Sequence, residues 1–287
     1  MNTVDKVTLM TLNTWHGGMK VNDGMNKLVK AVQLSGADIV GIQEVPDPGK
    51  EIADKLGWYC YQRQAPLSGY LDCSVISKYP IVEAFDIEGV SAVAVVIILL
   101  SGQKILVADT HLHYDPYGPY WACIDEKPVA DIIAMEEEKR GAEIALILDA
   151  IKPFLDSGMP VFLMGDFNAP SHLDWGADMK HRHNGYTVEW PISKKAELAG
   201  MIDSYRAVHP DPAVSPGFTW SPVHTESHPW GTNPREPQDR IDFIYGKGYE
   251  KVIQSEVFII GSPQGFGSHE DNEWPTDHGA VVSTFTI

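Results

Sequence analysis

Apolar residues gather in short runs along the chain, and many of these runs end on a polar or charged tip. Val4 to Leu12, Ile39 to Ile42, Cys73 to Ser77, Ile81 to Ile87, Ala92 to Leu100 and Lys104 to Asp109 read as strands, parted by turn residues such as Tyr79-Pro80 and Ser101-Gly102. Pro160 to Met164, Ile241 to Tyr245, Val252 to Ile259 and Ala280 to Phe285 continue the series. Apolar-polar alternation fades in the middle of the set, as it does when both faces of a strand are covered. Met25, Leu28, Val29 and Val32 predict a helix over Gly24 to Ser35 that Gly36 ends. A longer helix is expected over Ala130 to Ile151, with Ile132, Ile133, Met135, Ala142, Ile144, Ala145, Leu146 and Leu148 on its apolar face. After Asn168 the chain becomes loop-rich until Arg240. Many strands in mixed order with few helices predict an α/β protein of two packed sheets flanked by helices. A (β/α)8 barrel would need a helix after each strand.

The polar tips carry the chemistry. Leu12-Asn13-Thr14-Trp15, Gln43-Glu44-Val45, Thr110-His111-Leu112-His113, Gly165-Asp166-Phe167-Asn168 and Thr276-Asp277-His278 each adjoin an apolar run. Carboxylates, amides and imidazoles of this kind can hold a hard divalent cation and move a proton beside it. Side chains two apart on a strand share a face, which pairs Asp166 with Asn168, His111 with Asp109 and His113, and Arg240 with Asp242. Glu44 at a strand end suits Mg²⁺, with Asn13 as a neutral oxygen and Asp277 as a second carboxylate. No HExxH or similar zinc spacing is present. His278 cannot share a strand face with Asp277, so Asp242 is its expected orienting partner. Taken singly, Glu44 and Asn13 are ordinary strand ends, Asp166 with Asn168 is an Asx-turn before Pro170, and His111 is a half-buried histidine. Their joint occurrence, each beside a strand, favours one site.

Composition narrows the picture. The chain has 287 residues, 44% of them hydrophobic and 21% charged, with a formal net charge of -17. That length suits a single domain over 1–287. An acidic surface repels polyanions, which disfavours nucleic acid as substrate unless a local basic groove exists. Cys60, Cys73 and Cys123 form no CxxC pair and predict reduced, structural thiols. Met1 to Lys6 lacks the basic region and apolar core of a signal peptide, and no apolar run reaches the roughly 18 residues of a membrane span. The expectation is a soluble, cytoplasmic monomer.

The ordered set Asn13, Glu44, His111, Gly165-Asp166-Phe167-Asn168, Asp203, Asp239-Arg240-Ile241-Asp242 and Asp277-His278 resembles the endonuclease/exonuclease/phosphatase superfamily, from about Thr8 to Phe285. The resemblance implies the deoxyribonuclease I-like fold, a four-layer α/β/β/α sandwich of two mixed sheets. It implies a Mg²⁺- or Mn²⁺-dependent phosphoesterase, with Glu44, Asn13 and Asp277 toward the metal. Asp166 would orient or deprotonate the attacking water, Asn168 would place nucleophile and phosphate, and His278 with Asp242 would stabilise phosphoryl oxygens or serve as acid and base. His111 resembles a second phosphate-contacting histidine. Ser204-Tyr205-Arg206 and Phe218-Thr219-Trp220 resemble stretches of the exonuclease III branch.

Substrate choice falls to the long segments beside these motifs, His113 to Pro128, Ala169 to Lys195, His209 to Gln238 and Gly261 to Pro275. They hold Trp121, Trp175, Trp190, Trp220, Trp230 and Trp274. These rings either stack on substrate or form small cores for the loops. Trp220 and Arg240 are the expected substrate contacts, and Lys180-His181-Arg182-His183 is a candidate for a second anionic group. A small or head-group phosphoester is favoured over a duplex. The alternatives are an exonuclease III-like nuclease and a non-catalytic binding module.

Overall fold

The computed structural model describes residues 5–44, 46–64, 72–225 and 236–287; Val45 and Trp230 lie outside them. One six-stranded sheet contains β1 (Lys6–Asn13), β2 (Ile39–Gln43), β3 (Tyr59–Gln62), β4 (Cys73–Ser77), β11 (Lys251–Phe258) and β12 (Ala280–Thr286), in the order β11-β12-β1-β2-β4-β3. The other contains β5 (Ile81–Asp86), β6 (Ala92–Ile98), β7 (Lys104–His111), β8 (Val161–Asp166), β9 (Ile202–Asp203) and β10 (Asp242–Lys247), in the order β5-β6-β7-β8-β10-β9. β1 with β2 and β7 with β8 are parallel pairs, and the remaining pairs are antiparallel.

Strand alternation sorts the apolar side chains into layers. Val7 and Leu9 of β1 meet Phe162 and Met164 of β8 between the sheets. Met10 and Leu12 turn the other way, onto Leu28, Ala31 and Val32 of α1 (Gly24–Ser35) and Ile52 of α2 (Gly49–Leu56). Val161 and Leu163 pack outward with Ile144, Ile147 and Ile151 of α5 (Arg140–Ser157). The four-layer sandwich is therefore present, and none of the described helices is long and apolar enough to cross a membrane.

One expectation is corrected. The helix expected over Ala130 to Ile151 is two, α4 (Val129–Glu138) and α5, broken at Lys139 in the polar stretch between their apolar faces. The loop-rich stretch from Asn168 to Arg240 holds α6 (Pro191–Leu198), opened by Pro191, then β9 and α7 (Ser204–Val208). Asp203 caps α7 by accepting from the Tyr205 and Arg206 amides. α3 (Gly118–Cys123) is a further short helix in the segment after His111.

Register places the site. His111 and Asp242 both lie opposite Asp166, one from β7 and one from β10, so the motifs form a row across neighbouring strands. Gly165 permits this: its φ is 146°, and a Cβ there would lie 2.0 Å from the Thr110 carbonyl oxygen.

Candidate active site

Asp166 is the centre of the site. Its Oδ2 accepts from Asn13 Nδ2 at 3.0 Å, across the two sheets, and its Oδ1 accepts from the Asn168 backbone N–H at 2.9 Å. Two imidazoles approach the same Oδ2, His111 Nε2 at 3.7 Å and His278 Nε2 at 3.7 Å. Each is held from behind by a carboxylate. His278 Nδ1 lies 3.0 Å from Asp242 Oδ2, and His111 Nδ1 lies 3.3 Å from Asp72 Oδ2. These contacts hold each ring with its Nε2 turned toward Asp166. Thr219 Oγ1 accepts the Asp242 amide, and the Ser91 hydroxyl donates to Asp72.

Burial alone would push both imidazoles down, because it penalises the charged form. The surrounding carboxylates outweigh it. Asp72 and Asp166 lift His111 to about 9, and Asp242 and Asp166 lift His278 to about 10. Both rings are therefore cationic at neutral pH, suited to negative oxygens.

The Asn168 amide nitrogen donates to the Leu112 carbonyl, which leaves Oδ1 for the pocket. Glu44 Oε2 accepts from the His16 backbone N–H at 2.8 Å. Asp277 Oδ2 lies 3.4 Å from His224 Nε2. The segment holding Asp277 and His278 is bent rather than extended, so both neighbours reach the pocket, against the strand rule applied to the sequence.

These groups open into a cavity of about 510 Å³. Asn13, Glu44, His111, Asp166, Asn168, Trp220, Asp277 and His278 all line it, and Asp242 stands directly behind His278. Arg240 does not reach it. Its guanidinium is buried on Asp174 and Asp203, with Nη2 at 2.9 Å from Asp174 Oδ2 and Nη1 at 2.9 Å from Asp203 Oδ1. The expectation of Arg240 as a substrate contact is corrected: β10 begins only at Asp242, so alternation does not carry back to Arg240, and Ile241 takes a place on the pocket wall.

Several wall residues were missed from sequence. Trp15, His16, Tyr117, His224 and Phe266 sit in irregular segments, and Tyr120 in the short α3, where periodicity is silent. Asp72 had a signal, since it immediately precedes a strand, as the other motifs adjoin theirs. The loop tryptophans divide. Trp175 and Trp190 form a small core with Ala122, Ile132 and Val188, Trp274 joins the α1 layer, and Trp220 faces the pocket. His183 stacks on Trp175 at 3.8 Å, and Arg182 lies over Phe218.

The donor set fits a hard cation. Glu44, Asp115, Asp166 and Asp277 line the cavity against Lys20 and the cationic His111 and His278, and carboxylate oxygens of this kind suit a hard divalent ion. Among the described residues, ligand atoms of Asp166, Asp242 and His278 lie within 4.8 Å of one another. Asp166 is tied by the contacts above and Asp242 Oδ2 by His278, while Asp242 Oδ1 is buried without a hydrogen-bond partner among the described residues; Glu44 and Asp277 add carboxylate oxygens at the cavity wall.

A sequence model of the Endonuclease/Exonuclease/phosphatase family matches residues 10–278. The chain belongs to this family. A Caenorhabditis elegans protein described as uncharacterized is 32% identical over 299 residues, covering 100% of this chain and 93% of its own length. Among solved structures, the human Nocturnin catalytic domain, which holds a sulfate anion, is similar with a TM-score of 0.64 at 15% identity, covering 99% of this chain and 98% of that one. Caenorhabditis elegans TDP2 gives 0.62 at 18%, covering 98% and 75%. An AP endonuclease from Archaeoglobus fulgidus gives 0.61 at 14%, covering 98% and 100%. At these identities the structures establish the fold, and the family's name spans nucleases and phosphatases alike.

Proposed function

We propose that the protein is a divalent-metal-dependent phosphoesterase that hydrolyses a small or head-group phosphodiester or phosphomonoester. One observation carries the reading: a buried carboxylate, Asp166, lies between two carboxylate-backed imidazoles in the wall of an open pocket. Asp166 takes the proton of the attacking water, and Asn168 Oδ1 aims that water in line with the phosphorus. His278, fixed by Asp242, donates from Nε2 to a phosphoryl or leaving oxygen, and His111 neutralises a second oxygen. Glu44, Asn13 and Asp277 would hold Mg²⁺ or Mn²⁺, which supplies Lewis-acid charge to the phosphoryl group when bound.

The test is hydrolysis of bis-p-nitrophenyl phosphate, sugar phosphates, sphingomyelin and DNA with Mg²⁺ or Mn²⁺. Turnover of at least one substrate, lost on chelation and in Asp166→Ala and His278→Ala, is the expected result. Wild-type protein inert on all of them, or unaffected by both substitutions, refutes the reading.

A nuclease is the second reading, because the fold also matches Danio rerio TDP2 complexed with a single-strand DNA product, at a TM-score of 0.62 and 16% identity. Against it stand the net charge of -17 and the carboxylate-rich lining. Cleavage of DNA in preference to every small ester, with steep salt dependence, would favour the nuclease.

A further inference from the structure

Two buried carboxylates three positions apart, Glu236 and Asp239, each collect two aromatic donors. Glu236 Oε1 accepts from Tyr120 Oη at 2.8 Å and from Trp220 Nε1 at 2.7 Å. Asp239 accepts from Trp175 Nε1 at 2.8 Å and from Tyr117 Oη at 3.3 Å. Neither carboxylate lines the cavity, but Tyr117, Tyr120 and Trp220 all do. Tyr117 and Tyr120 meet edge to face at 4.8 Å, and Trp220 lies 4.9 Å from the His278 ring. One short stretch of chain thus pins an aromatic wall that ends against an imidazole of the site.

The polar tips of large aromatic side chains need partners when buried, and here two buried carboxylates supply them. Nothing in the hydrolytic chemistry uses Glu236 or Asp239. Building a wall of rings onto buried acids does have a use if the rings must hold one face toward a ligand. The wall presents carbon surface, not a cation, so it suits a flat apolar group and not a further phosphate.

We infer that Glu236 is a positioning residue that fixes the Tyr120–Trp220 side of a slot beside His278, and that this slot receives a planar, uncharged part of the substrate alcohol. The inference deepens the phosphoesterase reading and rests on it for the word substrate, whereas the slot itself can be tested without turnover.

The probe is p-nitrophenol, kept below its own pKa so that it is uncharged and titrated against metal-free protein while tryptophan fluorescence is followed. Saturable binding is expected in the wild type. Glu236→Leu should weaken it about tenfold or more, because Tyr120 and Trp220 both lose their acceptor. Glu236→Gln, which keeps the acceptor, should restore most of it. Trp220→Phe keeps the ring and removes the donor, so it should weaken binding in the same direction and serves if Glu236→Leu does not fold. With bis-p-nitrophenyl phosphate, Glu236→Leu should raise KM and spare kcat. Binding that is absent in wild type, or unchanged in both Glu236→Leu and Trp220→Phe, overturns the slot. Glu236-dependent binding by a protein inert on every ester would support the slot and sink the phosphoesterase reading instead.

Discussion

Asp242 receives His278 Nδ1 at 3.0 Å with good hydrogen-bond geometry, whereas Asp72 meets His111 Nδ1 at 3.3 Å as an ion pair alone. The two imidazoles share Asp166 but are not held equally, and substitutions of their partners should separate them. Asp242→Asn removes the charge that orients the His278 ring and stabilises its cation, and should lower kcat about 100-fold. Asp72→Asn should cost only about tenfold. Steady-state kinetics on any turned-over ester checks the order; equal losses, or a larger loss in Asp72→Asn, would contradict it.

Arg240 is the hub of a buried charge cluster. Its guanidinium serves Asp174 and Asp203, and Arg206 Nε meets Asp174 Oδ1 at 2.6 Å. Arg240→Met leaves two buried carboxylates short of a partner and should cost about 3–5 kcal/mol in urea unfolding. KM of the folded protein should not move. A raised KM at wild-type stability would return Arg240 to a substrate role.

Asp239 ties pH to stability. Burial pushes its carboxyl up to about 7, despite the hydrogen bonds from Trp175 and Tyr117. The folded chain therefore keeps a proton that the unfolded chain releases above about pH 4. This contribution is at its best below that pH and declines as pH rises through about 7. Asp239→Asn should flatten the fall in Tm between about pH 5 and 7.5. Parallel wild-type and variant curves would refute the assignment.

Gly165 sets how closely β7 and β8 approach. Gly165→Ala places a methyl 2.0 Å from the Thr110 carbonyl oxygen at a φ of 146°, and should cost about 3 kcal/mol or more. Because His111 pairs in register with Asp166 across this contact, kcat should fall as well. Unchanged stability would mean that the strands part easily here.

The sandwich and most of the site residues were legible in the sequence because strands are short and carry their polar tips at their ends. Asn13, Glu44, His111 and Asp166 lie at or beside strand ends and line one cavity, as their joint occurrence suggested, whereas the bent segment of Asp277 and His278 departs from the strand rule. It failed at Arg240, two residues before its strand begins, where a bridge from Trp220 to Asp239 sets the backbone instead. It was silent on Tyr117, Tyr120, His224 and Phe266, whose positions depend on packing between segments far apart in the chain. Trp175 and Trp220 look alike in sequence; one fills a loop core and the other faces the pocket, and only tertiary contacts separate them.

The bond from Asn13 Nδ2 to Asp166 Oδ2 joins opposite sheets, as does the reach of His278, which leads into β12, toward Asp242 in β10. Neither sheet owns the reaction. A chain with both sheets formed but not yet docked would have nearly all its secondary structure and no site, so the first turnover during refolding would mark the moment at which the two halves close on each other.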